Sequence, residues 1–529
     1  MKHPVSRPNR VIAARVFALV LVGAACSTAA AAPPPAKEWI AHYAGPAGFY
    51  NNAQGITTDS SGNVYSIATS ATGTGSAMAL VKYSPDGQAQ WVSRYLGKPT
   101  GSDKPFVVLV GPDGDVVMAG VSDGTLGPGG NSFGDYLIAK YDAQTGDELW
   151  VRRIDGAGNN LDGLLAAAMD SSGNIVGTGQ SWSGTDYDWL TVKVDYATGA
   201  VLWTAALDGV AGGDDGINDA AVAIAIDGED NSYVAGWVQV GYDYGEEFNL
   251  YAYGVARYSP SGDLDWFTVI GDEFETGQPS AITIDGSGNV VVTGSKYPDG
   301  THALDPATGF QVWWNEYQGP SGTGAFPYAM RVAPDGDVVL AGSTCLGTFF
   351  CDESHAAWKL SGTDGGLSWA SVYTAPEANR AGGSARGLAI DDEGNVYTTG
   401  FYIFFSGTQQ AVTRRLDADG TVRWTDRFLG TAPGGADPAA GNSAAAIDPT
   451  TGALVTAGTQ GKSAKSFLTT IKYRPCAADF DGSGFVDLDD FTAFVFAFEA
   501  GTDDADFDQS GFVDTDDYDA FVRSFEDGC

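Results

Sequence analysis

"EWIAHYAGP" (Glu38–Pro46) stands near the start of the chain, yet it reads as the end of a repeat. Its Trp-x-x-x-Tyr spacing matches "WVSRYLG" (Trp91–Gly97), which closes the hairpin "MALVKYSPDGQAQWVSRYLG" (Met78–Gly97). Trp150, Trp203, Trp266, Trp313, Trp369 and Trp424 hold the same place in later hairpins. Each follows a turn phrase rich in Asp, Gly and Asn that leads into a β-branched strand. "DSSGNVYSIATS" at Asp59, "DSSGNIVGTGQS" at Asp170, "DGSGNVVVTGSK" at Asp285 and "DDEGNVYTTGFY" at Asp391 show the form. Asp113, Asp227, Asp335 and Asp448 open the other four, and the phrase recurs roughly every 50–60 residues. The last unit stops at "FLTTIKYRP" (Phe467–Pro475) without a Trp strand. The missing strand is the one at Glu38–Pro46.

Each unit therefore has four strands: a short apolar strand such as "AITI", the strand after the turn phrase, and a second hairpin ending on Trp. Eight such units over residues 33–474 predict an all-β fold, an eight-bladed β-propeller closed by its N-terminal strand. Closure removes the free sheet edges that invite aggregation. "DGSGN" at Asp285–Asn289 mimics the start of a calcium loop. A strand follows it and Lys296 falls where the last ligand would stand, so it reads as a hairpin turn.

The turn-and-Trp pattern resembles the bacterial β-propeller repeat of large secreted proteins, over nearly all of Trp39–Arg474. "ALDPATGFQVW" (Ala303–Trp313) is similar in full to the tryptophan-docking motif of quinoprotein dehydrogenases. "DAQTGDELW" (Asp142–Trp150) and "DYATGAVLW" (Asp195–Trp203) match it from the Asp onward. In that family the motif locks blades together, so the resemblance implies the fold. It leaves a quinone-dependent dehydrogenase as a lesser alternative, and the vicinal Cys pair often seen in that family is absent from the sequence.

Bulk composition narrows the setting. Among 529 residues, 66 are acidic and 28 basic, a net charge of −38. Such a surface argues against nucleic acid, which needs Lys and Arg to neutralise phosphate. Lys2, Arg7, Arg10 and Arg15 precede the apolar run "VFALVLVGAA" (Val16–Ala25) and the small residues "STAAAAPPP". Residues 1–32 thus read as a secretory signal peptide, and no transmembrane segment is expected elsewhere. Cys26 raises lipoprotein anchoring as an alternative, but Gly23 stands where a lipobox usually has Leu. The remaining four cysteines suggest two disulfides in an exported protein. The simple pairing is Cys345–Cys351 and Cys476–Cys529.

The connections between the second and third strands vary most, and variable loops on a rigid scaffold commonly bind ligands. "SWSGTDYDW" (Ser181–Trp189) offers Trp182 and Tyr187, "WVQVGYDYGEEFN" (Trp237–Asn249) offers Tyr242 and Tyr244, and "TCLGTFFCDES" (Thr344–Ser354) offers Phe349. Aromatics beside carboxylates suit a polysaccharide, with rings stacking on sugars and acids accepting from hydroxyls. Catalytic signatures are missing. His42, His302 and His355 have no metal-ligand spacing, and neither a G-x-S-x-G elbow nor a phosphate-binding G-x-x-x-x-G-K-[ST] occurs. No catalytic residue is assigned, and a non-catalytic binding or scaffold protein is the leading expectation.

The chain ends on a duplication, "ADFDGSGFVDLDDFTAFVFAF" (Ala478–Phe498) and "ADFDQSGFVDTDDYDAFVRSF" (Ala505–Phe525). Each copy spaces oxygen donors as a twelve-residue Ca2+ loop does. The first offers Asp479, Asp481, Ser483, the Phe485 carbonyl, Asp487 and Asp490. The second offers Asp506, Asp508, Ser510, the Phe512 carbonyl, Asp514 and Asp517. Gly484 and Gly511 permit the sharp turn. Phe491, Phe494, Val495 and Phe498 then follow helical spacing, repeated by Tyr518, Phe521, Val522 and Phe525. Residues 475–529 carry 16 acids and one base, so calcium should couple to folding there. Two loop-then-helix units with Asp in the last ligand place resemble a type I dockerin, of the kind at the ends of secreted planctomycete-type proteins. That resemblance implies a cohesin-like or cell-surface protein partner, and a context of extracellular polysaccharide degradation in which the chain would be an enzyme or an enzyme's partner. At the recognition positions stand Leu488-Asp489 and Thr515-Asp516, where dockerins often carry small hydroxyl residues, so the partner need not be a cellulosomal cohesin.

Overall fold

The computed structural model describes residues 37–527 apart from 47, 49, 124–133, 159, 210–217, 244–247, 272–276, 297–299, 323, 347–352, 376–379, 405–408, 429–439, 463–464, 474–477, 479, 482–485, 503–504, 506 and 508–511. The expected signal segment, Cys26, Tyr244, Phe349, Cys351, Cys476 and Cys529 therefore lie outside the described residues, as do Asp479, Ser483, Phe485, Asp506, Asp508 and Ser510.

Among the described residues thirty-two strands form eight four-stranded antiparallel sheets. The first sheet shows the plan: β2 (Asn51–Thr58), β3 (Val64–Ala71), β4 (Ser76–Tyr83) and β5 (Ala89–Tyr95) lie side by side in chain order. The first strand of every sheet packs on the first strands of its two neighbours, from β2 around the ring and back. The eighth sheet breaks chain order as the opening stretch requires. It runs β30 (Ala440–Ile447), β31 (Leu454–Lys462), β32 (Lys465–Tyr473) and then β1 (Lys37–Tyr43). Trp39 pairs with Lys472 and Tyr43 with Leu468. The protein is an eight-bladed β-propeller.

The core lies between blades. Tyr65, Ile67, Met78 and Leu80 of the first blade pack against Val116, Met118 and Leu137 of the second, and similar clusters repeat around the ring. On the outer strands a second device recurs. The Trp39 indole N–H donates to the Pro85 carbonyl at 2.9 Å, and Trp91, Trp150, Trp203, Trp266, Trp313 and Trp369 each donate likewise to the outer turn of the next blade, at 2.9–3.2 Å. A turn glycine lies flat on each ring. A Cβ built on Gly87 (φ 82°) would stand 2.5 Å from Trp39 Cγ, so Gly satisfies both the left-handed backbone and the close approach. Trp424 meets a different neighbour, because β32 and β1 are joined by no turn. It stacks on Tyr473 with centroids 5.6 Å apart. Two residues on, Asp426 accepts from the Tyr473 hydroxyl at 2.9 Å and pairs with Lys37 at 2.7 Å. The seam is thus gripped at both of its chain ends.

The Asp of the turn phrases also acquires a role. Asp170 accepts from Asn174 in its own turn and pairs with the buried Lys193 at 2.8 Å. Asp448 pairs in the same way with buried Lys472 at 2.9 Å. "DGSGN" is the expected hairpin turn: Asp285 N–H donates to the Asn289 carbonyl at 2.9 Å.

After the propeller come two helices, α1 (Leu488–Ala500) and α2 (Thr515–Asp527). Phe494 and Phe521, both fully buried, stack with centroids 4.0 Å apart and planes at 6°. Phe480, Phe491, Phe498, Phe507 and Tyr518 surround them. The duplicated stripe builds one small aromatic core. Among the described residues no helix is long and apolar enough to cross a membrane.

Candidate functional sites

Three places gather chemistry. The first is the axis. Every first strand bulges at the equivalent position, for example between Ala53 and Gly55, Pro105 and Val107, Pro327 and Ala329, and Ala385 and Gly387. A bulge frees one residue from the ladder and re-aims it. The freed residues include Gln54, Phe106, Tyr328 and Arg386, all at least partly exposed. The Arg386 guanidinium lies 3.7 Å from the centre of the Tyr328 ring, a cation–π contact across two blades. Arg331, in the same strand as Tyr328, is crowded by protein, which lowers its pKa, yet its surface remains open. Single-sequence reasoning missed this ring, since a bulge leaves no mark in residue order. Only the unbroken repeat of blade lengths offered a way to align the eight positions.

The second is the rim of the third blade. Trp182 ends β11 (Ile175–Trp182) and faces Tyr187 at the start of β12 (Tyr187–Val194). Their rings meet edge to face, 5.1 Å between centroids, and both are half-buried. Buried Asp162 holds the pair in place by accepting from Trp182 N–H at 2.9 Å and Gly156 N–H at 2.8 Å. Asp219 does the same in the next blade, accepting from Gly209 and Gln239 N–H at 2.9 and 2.7 Å. Burial raises the Asp219 carboxyl to about 6, against those two bonds and with help from Asp208 and Asp186. Asp135, Asp155 and Asp162 gather within 4.8 Å, the one grouping among the described residues with three possible metal ligands. Arg153 already pairs with Asp135 there at 2.7 Å. Of the other sequence candidates, Tyr242 stands opposite Asn249 in β15 (Ser232–Asp243), its side chain not described. Tyr244 and Phe349 lie outside the described residues. The structure therefore brings Trp182 and Tyr187 together, places Tyr242 in β15 and leaves Tyr244 and Phe349 outside the described residues. Cys345 is buried at the end of β23 (Val338–Cys345).

The histidines are apart from one another. His42 Nδ1 meets Thr469 Oγ1 at 3.0 Å, His302 Nδ1 meets Gln311 Oε1 at 2.9 Å, and His355 Nε2 meets Thr398 Oγ1 at 2.8 Å. These contacts belong to the blade packing.

The third place is the helical module. Asp487 caps α1 by accepting from Asp489 N–H at 2.8 Å, while its own N–H donates to Asp490 at 2.8 Å. Asp514 and Asp517 repeat both bonds on α2 at 2.8 Å each. This reciprocal cap uses Asp at both positions. Asp490 and Asp517 are fully buried. Asp490 also accepts from Asp481 N–H at 3.0 Å, and burial followed by the Asp481 charge pushes its carboxyl up despite the bonds it accepts. In the first loop the buried Asp490 carboxyl lies beside the exposed Asp481, and carboxylate oxygens are the donors a hard divalent cation takes, so the described residues are compatible with calcium. Phe512, offered as a carbonyl donor, keeps its side chain in solvent.

No family model and no curated protein matches the chain. Solved structures do. The quinohemoprotein alcohol dehydrogenase of Comamonas testosteroni superposes with a TM-score of 0.51 at 11% identity, over 82% of this chain and 76% of that one. A europium-containing methanol dehydrogenase gives 0.50 at 11% identity, over 81% and 85%. A polysaccharide lyase gives 0.42 at 10% identity, over 82% and 91%. These are likenesses of fold.

Proposed function

We propose that the protein is a secreted, non-catalytic binding propeller, attached to a partner through a calcium-dependent C-terminal module. The observation that carries this reading is the repeated cap: Asp487–Asp490 and Asp514–Asp517 set two acid-lined helix starts on one aromatic core. Calcium would supply the positive charge that these carboxylates otherwise lack, with Asp479, Asp481, Ser483, Phe485, Asp487 and Asp490 holding one ion and the matching residues from Asp506 to Asp517 the other. Their own contribution is to bring each loop's end against the first turn of its helix.

Attachment is supported by the outer face of α1. Leu488 and Phe496, two turns apart, are 71% and 68% exposed. The matching positions on α2 are Thr515 and Arg523. A cohesin-like or cell-surface protein would dock on α1, whose face is apolar. The propeller would offer Trp182 and Tyr187 to a polysaccharide.

Asp479→Ala combined with Asp506→Ala, in the full chain, tests the module. The expected result is loss of both calcium sites by titration calorimetry and loss of helical circular dichroism. Unchanged calcium binding would overturn the loop assignment. A glycan array paired with a reducing-end assay tests the propeller, and release of new reducing ends would end the non-catalytic reading.

A further inference from the structure

The interface between the sixth and seventh blades buries a charge that has no carboxylate partner among the described residues. Arg414 lies in β28 (Gln409–Leu416), third strand of the seventh blade, and is 2% exposed. Elsewhere in these two blades Lys359 and Arg423 have carboxylate partners. Arg414 has none among the described residues. Its Nη2 donates to Ser371 Oγ at 2.8 Å, its Nη1 reaches the Ser371 carbonyl at 3.5 Å, and the Tyr373 ring lies 5.7 Å away. Its Nε–H has no acceptor among the described residues. Burial lowers the guanidinium to about 10, which leaves it protonated at neutral pH.

Its described neighbours do not neutralise it. Buried His355, in β24 (Glu353–Leu360), is kept neutral by burial and by the Arg414 charge. Its Nε2 meets Thr398, and its Nδ1 has no partner among the described residues. A ring that accepts the Thr398 hydroxyl at Nε2 carries its proton on Nδ1, a second donor without an acceptor among the described residues. Ser354 and Tyr402 bond each other at 3.1 Å. A buried ion without a counter-charge is strongly destabilising, and none stands beside Arg414 among the described residues.

Nor does the fold demand an arginine here. Counted from the end of the third strand, six of the other seven blades place Val81, Ala139, Val192, Ala256, Trp358 or Ile471 at this position, and the fifth places His302. The charge is peculiar to one interface.

We infer that a small monovalent anion of the chloride type binds between the sixth and seventh blades, against the Arg414 guanidinium and the His355 imidazole. The anion accepts from Arg414 Nε–H and His355 Nδ1–H, and it is bound by the folded ring only. Folding stability then depends on anion concentration by mass action.

The test is thermal unfolding of the full chain with calcium and ionic strength fixed, while sodium chloride replaces sodium gluconate. The wild-type Tm should rise by about 1–2 °C per tenfold increase in chloride once the site begins to fill. In Arg414→Met, which restores the apolar character of the other blades, the same titration should be flat. A wild type insensitive to chloride would overturn the inference, whether or not the variant folds. An equal slope in both proteins would overturn it too. Diffraction from bromide-soaked crystals gives an independent reading, an anomalous peak beside Arg414 in the wild type. Its absence there would count against the site.

Discussion

The close approach of Gly87 to Trp39 separates two costs that usually travel together. Gly87→Ala would place a methyl group 2.5 Å from Trp39 Cγ and 2.6 Å from Cδ2, on a backbone at φ 82°. Gly114→Ala, at φ 89° in the second blade, meets nothing within 4 Å. The second change carries only the cost of the left-handed backbone, about 1–2 kcal/mol. The first adds the displacement of the indole. Trp39 would lose its bond to Pro85, worth about 1 kcal/mol, and some of its packing on Tyr83, with another ~1–2 kcal/mol at stake. We expect about 1–2 kcal/mol for Gly114→Ala and about 3–5 kcal/mol for Gly87→Ala. Urea denaturation followed by far-UV circular dichroism, with calcium held constant, gives the two midpoints. In a Trp39→Ala background the excess cost of Gly87→Ala should vanish, since the group it strikes is gone. Equal shifts for the two alanines in the wild-type background, or an excess that survives removal of Trp39, would refute the docking of ring on turn.

Three further outcomes follow from buried charges and the aromatic core. Lys472→Met leaves Asp448 buried beside no cation and should cost about 3–5 kcal/mol at neutral pH. Burial pushes the Asp448 carboxyl up, but bonds from Thr450 and Lys472 outweigh it and hold the group below its usual range. Its stabilisation is therefore present above about pH 4 and lost as pH falls through the folded value, and acid titrations of Lys472→Met should show a shallower loss. Asp219 has the opposite sign: raised to about 6, it destabilises the fold progressively as pH climbs from about 4 to 6, by up to about 3 kcal/mol, and Asp219→Asn should flatten that slope in pH-dependent melts. Phe494→Ala removes the fully buried ring stacked on Phe521 and should cost about 3–5 kcal/mol, read as loss of the 222 nm helical signal with the strand signal retained.

The ring was readable because its components are local. A turn phrase, a Trp and the spacing between them need no knowledge of the rest of the chain, so eight units and the seam at Trp39 could be counted. Asp59 or Asp170 declared a turn; that Asp170 also holds Lys193 depends on two strands folding back, which residue order does not display. The bulged residues were illegible for the same reason, since Arg386 and Tyr328 become neighbours only once two first strands lie side by side. Arg414 sits in "QAVTRRL" beside Arg415, and nothing local says which of the two is buried. The tail's two helices and their shared aromatic core were legible, because each apolar stripe is contained in a few turns. The aromatics of the variable loops were read least well: of the five named, only Trp182 and Tyr187 meet among the described residues.

The seam has a mechanical meaning. Lys37 pairs with Tyr473, so the chain passes into β1 and out of β32 at the same end of one antiparallel ladder. If both extensions were held, tension would open that ladder from its end, one pair at a time, like a zipper. A shear geometry would instead strain every bond of the pair together. What resists the first step of opening is the clamp at that end: the Lys37–Asp426 ion pair, the Tyr473 hydroxyl on the same carboxylate, and Trp424 stacked on Tyr473. A ring whose closure is strong against heat can therefore be comparatively weak against a pull, and its resistance would be set by a few side chains of the neighbouring blade.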